Sequence, residues 1–161
     1  MKGLEPPFLD DGWCYVCGPE NPNGLRLKWS LDADGVARAR FRPAREHQGW
    51  RDVVHGGILA ALLDEAMAQW GVKNGRPTVT GAIEIRYRRP APTDETLLAE
   101  ARLVADRGRV LRFVASVRNE ATGVVYASAR GTCFQIRPDG SGCLDPETPR
   151  SPQQETELGG R

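Results

Sequence analysis

The stretch Val53-Val54-His55-Gly56-Gly57-Ile58-Leu59-Ala60-Ala61-Leu62-Leu63-Asp64-Glu65-Ala66-Met67-Ala68-Gln69-Trp70-Gly71 is the longest apolar run of the chain, and the fold turns on it. Two glycines followed by strong helix formers predict a close backbone approach that opens a helix, with Gly71 as its stop. His55 then stands at the helix mouth. At about 100° per residue, Leu59, Leu62, Leu63, Ala66 and Trp70 fall on one arc, the expected core face. Asp64 falls elsewhere, in a stripe made of Gly57, Ala60, Ala61, Ala68 and Gly71. An ordinary solvent face would carry Lys, Glu and Gln there. A stripe this small predicts that another backbone or a slim ligand comes close, the plainer alternative being a solvated Asp on an Ala-rich helix.

Working outward, residues 25–31 alternate apolar and polar as a half-buried strand does, Asp32-Ala33-Asp34-Gly35 makes a hairpin turn, and residues 36–41 return as a second strand. Residues 42–52 form a polar loop carrying His47, Gln48 and Trp50. Beyond the helix, residues 78–88, 97–105, 110–119 and 124–136 alternate as four more strands. The order predicts an α+β domain, an antiparallel sheet of about five to six strands wrapped around one long central helix. One helix covers one sheet face, so the other face or the sheet edge still needs cover. That need, with the small-residue stripe, predicts a homo-oligomer. The domain is expected over 14–137, after a loose segment at 1–13; the Gly, Pro, Ser and Gln content of 138–161 predicts a disordered tail.

A net charge of +1 over 161 residues gives no general pull toward nucleic acid or membrane surfaces. No apolar run approaches the roughly 18 residues that span a bilayer, and no apolar signal core follows Met1-Lys2. A soluble, cytoplasmic protein with no nucleic-acid or membrane partner is the expectation. Cys14 and Cys17 have the spacing of a zinc knuckle or a redox pair, and Cys133 with Cys143 could complete four sulfurs. The latter two are separated by nine residues, unlike the close pairs of structural zinc sites, so all four are expected to be structural thiols with no metal.

Val54-His55-Gly56-Gly57 followed by Leu62-Leu63-Asp64-Glu65-Ala66-Met67, in this order of elements, resembles the hotdog-fold acyl-CoA thioesterases of the phenylacetate-pathway type. The likeness spans roughly residues 14–136, and Cys14-Tyr15-Val16-Cys17-Gly18, Asn21-Pro22-Asn23-Gly24-Leu25 and Thr80-Gly81-Ala82-Ile83-Glu84-Ile85-Arg86-Tyr87 look like signatures of one branch. The resemblance implies hydrolysis of an acyl-CoA thioester to acid and coenzyme A, with no cofactor beyond the CoA of the substrate. It implies that Gly56 and Gly57 amides polarise the thioester carbonyl, which agrees with the orphan amides and positive dipole of a helix N-terminus. It also implies that Asp64 serves as base or nucleophile from the opposite subunit of a dimer or dimer of dimers. Thr80 then orients the attacking water, and Gln48 in the preceding loop holds the carbonyl.

His55 has two readings, shaping the thioester pocket or capping the helix, of which capping is the expected one. For the CoA phosphates, the resemblance points to Arg107-Gly108-Arg109 in a turn between strands, with Arg86, Arg88 and Arg89 as a second cationic group. Glu65 projects about 100° from Asp64 on the helix and is expected to pack or pair. Two alternatives stay open: a β-hydroxyacyl thioester dehydratase or hydratase using His55 and Glu65, and a non-catalytic acyl-CoA-binding module.

Overall fold

The computed structural model describes residues 11–136, so the expected tail, Cys143 and most of the segment 1–13 lie outside the described residues. Strands β1 (Ser30–Leu31) and β2 (Val36–Phe41) precede a single 3-10 turn at Arg45–His47 and a short ribbon, β3 (Gln48–Trp50) with β4 (Val53–Val54). Helix α1 (Gly56–Lys73) follows, then β5 (Thr78–Tyr87), β6 (Leu97–Arg107), β7 (Val110–Asn119) and β8 (Val125–Gln135). Six strands form one antiparallel sheet in the order β1-β2-β6-β7-β8-β5. This is the α+β arrangement expected from the sequence, with a second, two-stranded ribbon added at 48–54.

Alternation explains the sheet. On β7, Leu111, Phe113, Ala115 and Val117 are buried toward the helix while the residues between them are not. Leu62, Leu63, Ala66 and Met67 of α1 are fully covered, and Trp70 packs edge-on against Phe113 at 5.3 Å. Among the described residues, no helix is long and apolar enough to cross a membrane.

Two expectations are corrected. The segment 25–31 is not a continuous strand: Arg26 sits at φ +53, and only Ser30–Leu31 pairs with β2. Instead, Leu25 and Leu27 donate their amide protons to the Tyr15 and Val16 carbonyls. Gly71 does not stop the helix. Asn74 caps it and Gly75 at φ +66 turns the chain, with Arg76 N–H returning to the Gly71 carbonyl at 2.8 Å, a Schellman closure. Gly71 is glycine for proximity, since a Cβ there would stand 2.5 Å from the Arg76 carbonyl oxygen. The outer sheet face, one of the two places expected to need cover, carries an ionic row in which Glu100 bonds both Arg38 and Arg118.

Candidate active site

The helix mouth is built by the residue before it. His55 is extended at φ −61, ψ 136 and is the N-cap; its Nδ1 accepts the Gly57 N–H at 2.8 Å, and its carbonyl takes Ile58 and Leu59. Nδ1 must be unprotonated to do so, which puts the ring proton on Nε2. Of the four first-turn amides, that leaves Gly56 without an acceptor among the described residues. Gly57, expected to share the carbonyl-binding task, is thus spent on the cap. Tyr87, at the end of β5, donates its hydroxyl to the Gly56 carbonyl at 3.0 Å and fixes that peptide in place.

A loop flanks this mouth. His47 takes the His55 N–H on its carbonyl, and Gly49 lies against His55, where a Cβ would come within 3.1 Å of its Cα. Gln48 does not present its amide to a substrate. Its nitrogen donates to the Arg45 carbonyl at 2.9 Å and its oxygen accepts from Asp52 N–H at 2.6 Å, so the side chain staples the loop. An open cleft of about 650 Å³ lies here, between Arg45, Gly49, Trp50, Asp52 and Thr93. The Trp50 ring is 82% exposed in it, a large apolar surface for a lone protomer.

A second cluster lies farther along the same helix. Asp64 is exposed, and Thr80 Oγ1 of β5 lies 3.8 Å from the buried Cys133 Sγ of β8. Burial chiefly, with the Asp64 charge adding to it against the Thr80 contact, pushes the Cys133 thiol up to about 11. Thr80 and Cys133 are in contact, and the Asp64 charge is close enough to act on that thiol. Two helical turns separate Gly56 from Asp64, about 12 Å along the axis. Within one protomer the helix mouth and the Asp64 carboxylate therefore stand apart.

The cationic groups divide too. Arg86 and Arg88 line a cleft of about 250 Å³ with Arg130 on the outer sheet face, Arg86 paired to Glu84 and Arg88 to the Ser128 hydroxyl; Arg89 follows, exposed, its amide donating to the Tyr126 carbonyl. Arg107, Gly108 and Arg109 stand at the other end of the sheet. There Gly108 turns at φ +69, and Arg76 clamps the turn through Asp106 at 2.5 Å and the Gly108 carbonyl at 2.8 Å. Glu65 gives one oxygen to Cys14 and the other to Gln69, and Cys133 stays with Thr80, apart from the Cys14–Cys17 turn. The contacts of Tyr87 with Gly56 and of Cys133 with Thr80 are not foreseen by the sequence: both residues occupy ordinary strand positions, and their partners are remote in the chain.

The family model described as Thioesterase superfamily matches residues 52–126, from the loop before the helix into β8. Acyl-coenzyme A thioesterase 13 of Homo sapiens is 31% identical over 103 residues, 62% of this chain and 73% of that protein. A crystallised thioesterase superfamily protein is 30% identical with a TM-score of 0.71 over 76% of this chain, which spans 60% of that protein's length. A phenylacetic acid degradation protein PaaI of Thermus thermophilus, in a mutant form, is 29% identical with a TM-score of 0.62, covering 70% of this chain and 95% of its own. The helix with its His55-Gly56-Gly57 mouth, the sheet wrapped around it and these likenesses agree: the chain belongs to the thioesterase superfamily.

Proposed function

We propose that the chain hydrolyses an acyl-CoA thioester to the free acid and coenzyme A, in a homodimer or a dimer of such dimers. The single observation that carries this is the unclaimed Gly56 amide at the helix mouth, held by His55 and Tyr87, with the exposed Asp64 carboxylate two turns along the same helix. Human acyl-coenzyme A thioesterase 13 bears the activity in its name and supports the reading.

Pairing of two copies would bring the Gly56 mouth of one beside Asp64 and Thr80 of the other. Strand β5 is the sheet edge, with Gly81 and Ala82 exposed along it, and an uncovered edge offers a row of backbone groups to a second strand. The small-residue stripe of α1 leaves Asp64 uncrowded for the same encounter. The thioester carbonyl then receives the Gly56 N–H of one copy, aided by the positive helix end. From the other copy, Asp64 takes a proton from water, or attacks directly, while Thr80 aligns the water. Developing negative charge on the carbonyl oxygen is met by a donor already in place, and the CoA thiolate leaves. The cleft beside Arg86 and Arg88, or the exposed turn that carries Arg107 and Arg109, supplies cations for the CoA phosphates.

The dehydratase alternative asks Glu65 for a free carboxylate, yet both its oxygens are engaged by Cys14 and Gln69. The test is a panel of short, aryl and long acyl-CoA esters with thiol trapping, run beside light scattering of the same sample. Release of CoA by an even-numbered oligomer is expected. Binding of every ester with no thiol released would overturn hydrolysis and leave an acyl-CoA-binding module.

A further inference from the structure

Residues 14–17 close a tight turn against another face of the helix, the one that carries Glu65 and Gln69. The Gly18 N–H donates to the Cys14 carbonyl at 2.9 Å, and the Val16 N–H points at Cys14 Sγ from 3.4 Å. A Cβ on Gly18 would stand 2.4 Å from the Gly12 carbonyl oxygen and 2.5 Å from the Cys14 nitrogen, so this turn closes only with glycine after its second cysteine. Glu65 and Gln69, one helical turn apart on α1, face it. Cys14 Sγ lies 3.5 Å from Glu65 Oε2, Cys17 Sγ 3.4 Å from the Gln69 amide nitrogen, and that nitrogen 2.9 Å from Glu65 Oε1. The ligand atoms of Cys14, Cys17 and Glu65 all fall within 4.8 Å of one another, and all three residues are half-buried.

We propose that Cys14, Cys17 and Glu65 bind a zinc ion that staples the N-terminal segment to the central helix, with Gln69 beside the fourth position. Metal–sulfur and metal–oxygen bonds of about 2.3 and 2.0 Å at the tetrahedral angle place sulfur and oxygen about 3.5 Å apart. The Cys14 to Glu65 separation has that value. Rotating the Gln69 amide by half a turn exchanges its nitrogen for its oxygen and presents an acceptor to the same point. Two thiolates with one carboxylate suit zinc, where magnesium and calcium favour oxygen alone. The Val16 amide supplies the outer hydrogen bond that a metal-bound thiolate wants. On binding, both thiol protons pass to solvent. Sequence spacing offers Cys133 and Cys143 as partners for this turn; the helix carboxylate takes that place, and the site owes nothing to the hydrolytic reading because Glu65 projects away from Asp64.

What the staple would hold is visible. Leu27 and Trp29, buried in the core, hang from the segment whose amides bond Tyr15 and Val16, so a fixed turn fixes that edge of the core.

The test uses the full chain, reduced and stripped by chelator, titrated with zinc chloride beside elemental analysis of the protein as purified. One zinc per chain is expected, with a chelator-reversible rise in Tm on the order of 5 °C. Cys14→Ser, Cys17→Ser and Glu65→Gln should weaken binding by roughly 100-fold or more and Gln69→Ala by about 10-fold, while Cys133→Ser leaves it unchanged. Glu65→His, which offers another zinc ligand, should restore uptake. Should a cysteine variant fail to fold, cobalt replacement in the unaltered protein still decides, since thiolate-to-cobalt absorption counts the sulfurs and must give two. Absence of stoichiometric uptake, uptake indifferent to Cys14→Ser, loss in Cys133→Ser, or oxidation of Cys14 and Cys17 to a disulfide in place of uptake would each overturn the proposal.

Discussion

The His55 Nδ1 nitrogen accepts the Gly57 amide proton at 2.8 Å, and this one bond divides the labour at the helix mouth. Gly57 closes the cap, and Gly56 is the first-turn amide left without an acceptor among the described residues. Replacing His55 by Ala removes the cap and should cost about 1 kcal/mol in urea unfolding. His55→Asn, which keeps a capping acceptor, should recover most of that loss and keep kcat close to the original. A kcat that collapses in His55→Asn while stability holds would assign the imidazole to the chemistry itself.

Asp64 is exposed, so Asp64→Asn should unfold at the same temperature as the parent. Its kcat should nonetheless fall by about 100- to 10,000-fold, the usual share of a positioned acid or base. Thr80→Val should lose about 10-fold, one hydrogen bond's worth. Thiol trapping with the preferred ester measures both. Full turnover in Asp64→Asn would remove that carboxylate from the mechanism.

The helix, its core arc and the strand order were legible because each is written locally: Leu59, Leu62, Leu63, Ala66 and Trp70 recur at the helical period, and β2 and β7 alternate cleanly. Three things were not. Whether Gly71 stops the helix depends on the Arg76 carbonyl folding back on it, a contact made by the next element. The resemblance offers Gln48 as a carbonyl holder only after a one-residue shift of the loop, and its amide is consumed by Arg45 and Asp52, partners that a residue type does not announce. Glu65 is excluded from the Asp64 stripe by angle alone. Its approach to Cys14 across 51 positions follows only from how the N-terminal turn lands on the helix.

Met67 packs over Gly131 so closely that a Cβ there would stand 2.3 Å from its sulfur. Gly131→Ala should therefore destabilise by about 1 to 3 kcal/mol through overpacking. Met67→Ala alone should cost about 2 to 5 kcal/mol by opening a cavity. Combined, the two should cost clearly less than their sum, since the new methyl enters the space the methionine leaves. Denaturant titration of the four proteins closes the cycle, and strict additivity would mean the two residues do not share that space.

On the outer sheet face, Glu100 lies between two arginines, 3.1 Å from Arg38 Nε and 3.3 Å from Arg118 Nε. Partial burial works to raise its pKa, but the hydrogen bonds and charge of Arg118 and Arg38 outweigh it and hold the carboxyl below its ordinary 4.5. A carboxyl that binds its proton less tightly folded than unfolded stabilises the fold while ionised. That contribution is complete above pH 4.5 and is lost as the pH falls through the lowered folded value. At neutral pH, Glu100→Gln should thus be less stable by about 1 kcal/mol, with only 22% of the Glu100 side chain exposed to screen the pair. The gap to the parent should close as acid protonates Glu100. Unfolding curves recorded across the acid range check this; a gap that stays constant would show that the arginines gain nothing from the charge.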